Sequence, residues 1–291
     1  MTKPALLPRR LRLLLLLLCS AAACHAQSKE ATEKISKEFT LSADASRSTL
    51  ALYNIFGSVR VQGYAGSKVL VEATKSVQAD DAATLVQGQK EVKLGFSQHG
   101  DSVVVYIAEP YDSRPHDNHG RWHDREIDYH YAFDFVVKVP YAMNLHVSTV
   151  NNGSMTVADV TGLLHVNNVN GPITLTNVKG TTRARTVNGN VDATYAANPS
   201  GASSYHTING KIRVHYPASL GANLHFKSMH GEFLTDFPNA EVLPAQVTKN
   251  KEGSGGGTVY KLTKDTAVRI GKGGPDFRFE TLNGDVIISK I

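Results

Sequence analysis

The residues best suited to chemistry lie in one polar stretch. His116, Asp117, His119, His123, Asp124, Asp128 and His130 bring imidazoles and carboxylates together at short spacing. Such groups bind zinc, copper or nickel when their directions are held, which makes His116, His119, His123 and His130 the candidate metal ligands. Trp122 stands among them and fits either a contact residue or a plug against a sheet. The competing reading is a solvated polar loop, because no helix or strand pattern orients these side chains and metal sites need a supporting outer shell. Other reactive constellations are missing. There is no Gly-x-Ser-x-Gly elbow for a serine nucleophile, and the calcium-binding nonapeptide repeat would need paired glycines and a regular aspartate, where only Asp159 and Asp192 occur, at unlike places. The expectation is a non-catalytic protein without a cofactor.

Internal similarity is the strongest signal in the chain. The phrase Val169-Asn170-Gly171-Pro172-Ile173 returns as Val187-Asn188-Gly189-Asn190-Val191 and as Ile208-Asn209-Gly210-Lys211-Ile212. Weaker or later copies are Met229-His230-Gly231-Glu232-Phe233 and Leu282-Asn283-Gly284-Asp285-Val286. Glycines 153, 171 and 189 are 18 apart, and 189, 210 and 231 are 21 apart, so one supersecondary unit is repeated.

Aligned on the glycine, the copies show apolar columns. Five residues before it stand Val166, Ala184, Tyr205, Phe226 and Phe279; two before it, Val169, Val187, Ile208, Met229 and Leu282; two after it, Ile173, Val191, Ile212, Phe233 and Val286. This alternation is that of strands with one buried face. Around Gly153 one extra residue has entered, which predicts a β-bulge or widened turn. Leu50, Leu52, Ile55, Gly57, Val59 and Val61 satisfy the same columns and read as a first copy, with Phe56 in place of the asparagine.

Asn and Gly both accept positive φ cheaply, so the pair allows a sharp corner. The expected structural corners are Asn152, Gly153, Asn170, Gly171, Asn188, Gly189, Asn209, Gly210, Gly231, Asn283 and Gly284. Further turn signals at Gly162, Gly180, 198–201 and 217–221 fall halfway between them. Two all-β architectures fit. One is an antiparallel sandwich or meander, with each Asn-Gly a hairpin. The other, favoured because the same residue type recurs at the same place, is a β-solenoid or β-helix with 18 to 21 residue rungs. Under that reading Asn170, Asn188 and Asn209 form a side-chain ladder, and five rungs make a body about 25 Å long.

Outside the repeats, 67–74, 91–96, 102–107 and 131–139 read as strands, and 80–90 as one short helix. The expected divisions are a signal peptide at 1–26, a linker at 27–44, a β-rich part at 45–140 with a polar loop at 109–129, central rungs at 141–240, and a Gly-rich insertion with the last rung at 241–291.

The signal reading rests on Lys3, Arg9, Arg10 and Arg12 before the apolar run from Leu13, with cleavage expected after Ala26. That run is too short to span a bilayer, which takes about 20 apolar residues, and no later segment approaches that length. Cys24 as an acylated first residue is the alternative. Both cysteines, Cys19 and Cys24, lie in the leader, so the mature chain has no disulfide and no thiol site. Removal of the leader leaves 27 basic and 26 acidic side chains, a balance that argues against nucleic-acid binding. The expected location is periplasmic, cell-surface or extracellular.

Val139-Pro140 before Leu145-His146-Val147, the serial Asn-Gly-x-Ile/Val phrases, and the ending Ile270-Gly271-Lys272-Gly273-Gly274 with 281–288 resemble a bacterial family of unknown function grouped as putative adhesins. The resemblance covers about residues 45 to 291 and implies an exported β-repeat domain used for adhesion, binding or scaffolding. The His-rich loop and the Gly-rich insertion are departures from its pattern. Outer threonines such as Thr174, Thr176, Thr181 and Thr182 read as β-propensity on a wet face, and a flat solenoid side offering hydroxyls, amides and scattered aromatics would suit glycans or surface proteins as partners. The other functions weighed are metal binding through 116–130 and a carbohydrate-active β-helix enzyme.

Overall fold

The computed structural model describes residues 28–115, 127–245, 247–251, 258–262 and 265–291. The chain is all-β apart from one α-helix among these residues. It begins with β1 (Lys29–Thr40), β2 (Thr49–Tyr53), β3 (Val59–Tyr64) and β4 (Lys68–Ala79), then α1 (Ala82–Glu91), β5 (Leu94–His99), β6 (Ser102–Ile107) and β7 (Tyr129–Pro140). Short strands follow in pairs: β8 (Asn144–Ser148) and β9 (Met155–Ala158), β10 (Leu164–Asn167) and β11 (Ile173–Val178), β12 (Thr182–Arg185) and β13 (Val191–Tyr195). Next come β14 (Ser203–His206) and β15 (Ile212–Tyr216), then β16 (Ala222–Lys227) and β17 (Phe233–Thr235). After β18 (Glu241–Leu243) and the antiparallel hairpin β19 (Val247–Lys251) and β20 (Thr258–Leu262), the chain ends with β21 (Thr266–Ile270), β22 (Asp276–Glu280) and β23 (Val286–Lys290).

These strands form two large mixed sheets. The first has the order β1-β4-β7-β3-β9-β11-β13-β15-β23-β17, and the second β18-β21-β16-β22-β14-β12-β10-β8-β2-β6-β5. Each pair of repeat strands contributes one strand to each sheet, and neighbours from successive pairs run parallel in strict register. Antiparallel strands lie at the ends, namely β1 and β4 on the first sheet, and β5, β21 and β18 on the second. The inward residues of both sheets meet in one hydrophobic core, a layout that β-sandwiches share.

The alternation read from the sequence builds this core. The columns five before and two after the glycine are buried: Val166, Ala184, Tyr205, Phe279 and Phe226 line up strand by strand, as do Ile173, Val191, Ile212 and Val286. Each large apolar side chain so buried contributes about 1.5–3 kcal/mol. The column two before the glycine behaves otherwise. Val169, Val187 and Ile208 are only half-buried, Leu282 is 40% and Met229 72% exposed, because the chain is already turning there and the inward place has passed to the residue before.

Other differences concern the ends. The stretch expected to be a linker at 27–44 contains β1, an outer strand whose alternating lysines and glutamates guard its free edge. The helix begins two residues later than its pattern, since Asp81 caps it by accepting from the amides of Ala83 and Thr84 at 2.8 and 3.0 Å. The last repeat in sequence is not the last in space. Strand β22 lies between β14 and β16, and β23 between β15 and β17. The first repeat is likewise set one place inward, with β2 between β6 and β8 and β3 between β7 and β9.

A polar cluster sits inside the core. Tyr195, Tyr205 and Tyr216 are fully buried, their hydroxyls linked at 2.6 and 3.1 Å, and Tyr195 donates at 2.6 Å to the Oγ1 of Thr182, which is fully buried here and not on the wet face its sequence pattern suggested. Rings stack around them, Tyr195 on Tyr216 at 4.9 Å and Tyr205 on Phe279 at 5.1 Å. Burial raises all three phenols, Tyr195 to about 12. The unfolded chain loses these protons first, at about pH 10, so stability is intact below that value and falls as pH rises toward 12. Denaturant midpoints measured between pH 8 and 12 should show this fall, and Tyr195→Phe should make it shallower.

Candidate functional site

Two regions gather functional groups: the Asn-Gly corners and one sheet face. At the corners, the asparagines form a head-to-tail amide ladder. Asn170 donates to Asn151 at 2.7 Å, Asn188 to Asn170 and Asn209 to Asn188 at 2.8 Å, and Asn283 to Asn209 at 2.7 Å. His230 ends it, with Nδ1 3.1 Å from Asn283 Oδ1. The ladder residue in the Gly153 copy is Asn151, whereas Asn152 is the inserted residue and adopts φ 57°.

Glycine is needed at these corners for closeness more than for handedness. Gly57 and Gly284 have positive φ, but Gly171, Gly189 and Gly210 do not. A Cβ on any of Gly153, Gly171, Gly189, Gly210, Gly284 or Gly231 would fall inside van der Waals contact with the carbonyl oxygen of the neighbouring corner glycine. The repeats therefore stack at a distance only glycine permits.

Behind the glycines runs a second column that alternation does not mark, three residues before each glycine and four before Gly153. Its side chains, all buried except Ser228, donate to the carbonyl of the neighbouring corner glycine. Thr149 reaches Gly57 at 2.8 Å, Asn168 reaches Gly153 at 3.0 Å, Thr186 reaches Gly171 at 2.9 Å and Thr207 reaches Gly189 at 2.8 Å. Thr281 reaches Gly210 at 3.1 Å and Ser228 reaches Gly284 at 3.2 Å. Asn54 reaches Phe133 O at 3.0 Å in the same way. The signal in the sequence was the unbroken run of Asn, Thr and Ser at that place.

Of the proposed metal ligands, His116, His119 and His123 lie outside the described residues, as does Trp122. His130 is exposed on β7, opposite Gln78. Among the described residues no three His, Cys, Asp or Glu side chains gather as a metal site.

The second region is the outward face of the second sheet. One register line crosses six neighbouring strands as His146, His165, Arg183, Ser204, Arg278 and His225. The next line holds Ser148, Asn167, Arg185, His206, Glu280 and Lys227. Because Ser204 is short, a shallow open groove of about 540 Å³ forms there, walled by Arg183, Arg185, His206, Arg278 and Glu280. Glu280 lies 3.4 Å from His206 Nδ1 and 3.5 Å from Lys227 Nζ. His165 packs edge-on against His146 at 5.8 Å. Its partial burial, with Arg183 and His146 beside it, lowers its pKa, so it stays neutral at pH 7.

On the opposite wall the equivalent line reads Arg60, Thr156, Thr174, Asp192 and Arg213, with no two carboxylates adjacent. Asp192 there pairs with Arg213. No described helix is long and apolar enough to cross a membrane.

Comparison with known proteins places this architecture beside several solved structures. A putative cell adhesion protein of Clostridium sporogenes is 9% identical, with 91% of this chain and 100% of that one covered and a TM-score of 0.42. A putative adhesin of Bacteroides fragilis is 8% identical, with 89% and 97% covered and a TM-score of 0.35. A putative lipid binding protein of Parabacteroides distasonis is 6% identical, with 90% and 97% covered and a TM-score of 0.29. No family model and no curated protein matches the chain.

Two substitutions test the corner. Gly189→Ala should lower unfolding stability by about 3 kcal/mol in a urea titration, since a methyl group cannot be placed without spreading the stack. Thr207→Val should cost about 1–3 kcal/mol by removing the donor to the Gly189 carbonyl, while Thr207→Ser should retain most of the native value.

Proposed function

We propose that this chain is an exported, non-catalytic β-solenoid whose walls serve as a rigid surface for adhesion, binding or scaffolding. The coil reading is supported by parallel, in-register neighbours in both sheets and by the corner amide ladder. Each pair of repeat strands is then one rung, with a strand in either wall. The export reading rests on the basic and apolar leader at 1–26 and on the confinement of both cysteines to it.

The observation that carries the binding role is the open groove around Ser204. The one carboxylate lining it, Glu280, is engaged with His206 and Lys227. Such a face can hold an extended ligand along the rungs without enclosing it, and the stacked corners keep its side chains at fixed intervals.

Purified protein passed over a panel of immobilised glycans and surface proteins should retain at least one class and leave it chemically unchanged. New reducing ends or unsaturated sugars in the eluate would refute the non-catalytic part, and retention of nothing on the panel would refute the binding part.

A further inference from the structure

We propose that the groove on the second sheet binds a linear acidic polysaccharide of the polyuronate type, with Arg183 and Arg278 holding its carboxylates; this deepens the binding reading above and rests on it. The argument begins with the pairing of arginines. Among the described residues, Arg47, Arg114, Arg213 and Arg269 each have a carboxylate partner. Arg60, Arg183, Arg185 and Arg278 form no ion pair, and three of these four stand around this one groove. An unpaired guanidinium group is a fork for a planar anion, and a carboxylate matches it in shape as well as charge.

The spacing selects the form of the ligand. Arg183, Ser204 and Arg278 share one register line on adjacent strands β12, β14 and β22, so the two arginines start about 10 Å apart at the usual strand separation of about 4.8 Å. Between them the Ser204 hydroxyl lies at the groove floor, and Asn167 and Glu280 line its side. These are donors and acceptors for sugar hydroxyls. The line continues through His165 and His146 on one side and ends on the other at His225, whose Nε2 lies 3.3 Å from Asp276 Oδ1, about 24 Å in all. A ligand lying across the strands would thus meet guanidinium charge at intervals and hydrogen-bonding side chains between, which suits a chain that carries both carboxylates and hydroxyls.

Tyr205 lies beneath the groove but is 1% exposed, so its ring is not offered for base stacking. Glu280 at the groove's side can accept hydrogen bonds from sugar hydroxyls.

The test is calorimetric titration of the full chain with sodium polygalacturonate, beside dextran, duplex DNA and vesicles containing phosphatidylglycerol. Polygalacturonate should bind, and R183A and R278A should each weaken it about tenfold. R60A, which removes the same charge from an unpaired arginine on the opposite wall, should change it less than about twofold. The proposal is overturned if R60A weakens binding as much as the groove variants, or if DNA or the vesicles bind as tightly as the polyuronate. It is also overturned if dextran binds and polygalacturonate does not, an outcome that leaves the general binding role standing. Shortening of the bound polymer would instead remove the non-catalytic reading and keep the groove assignment.

Discussion

Everything in this molecule depends on how closely one Asn-Gly corner can lie over the next. The glycine carbonyl of each corner occupies the space where a neighbouring Cβ would be, and a buried hydroxyl or amide donates to that same oxygen from within. Outside, the asparagine amides repeat the arrangement at the surface. Three columns thus act on one contact: glycine permits it, Thr, Asn or Ser satisfies its buried acceptor, and asparagine holds its outer rim. Neutral hydrogen bonds of this kind are modest one at a time, about 1 kcal/mol, but a chain of parallel amides polarises each member and penalises any slip of register.

Register at the corners sets the geometry of the walls. Because the repeat strands are paired in register, apart from a slip between β11 and β13 after Leu175, an outward side chain on one repeat stands beside its counterpart on the next. A surface pattern on this protein is therefore a list of what stands at one position of successive repeats. The salt bridge of Arg213 with Asp192 is one such adjacency, and the unpaired arginines around Ser204 are another.

Much of this was legible before any coordinates, and the exceptions have physical causes. Periodicity found the buried columns at Val166, Ala184 and Tyr205 and at Ile173, Val191 and Ile212, because alternation reports directly on one-sided burial. It misjudged Val169, Val187 and Ile208, since strand alternation does not survive a corner. Thr186 and Thr207 went unnoticed because polar residues were not sought inside, although they share one alignment column with Asn54 and Thr281. The His146, His165, Arg183, Ser204, Arg278 line was also present in the alignment, one place further from the glycine than the buried Val166 column. Its charge pattern becomes a surface only once the strands are placed side by side, which no single repeat specifies. The position of β22 and β23 had no local signal at all, for nothing within a strand states which neighbour it will choose.

That last placement bears on the order in which the molecule can be assembled. Strands β16 and β17 leave the ribosome well before β22 and β23, yet their partners on the inner side are those later strands. The edges of β14 to β17 stay open until those later strands lie between them. A protein built this way cannot close its two walls in the order in which their strands are made.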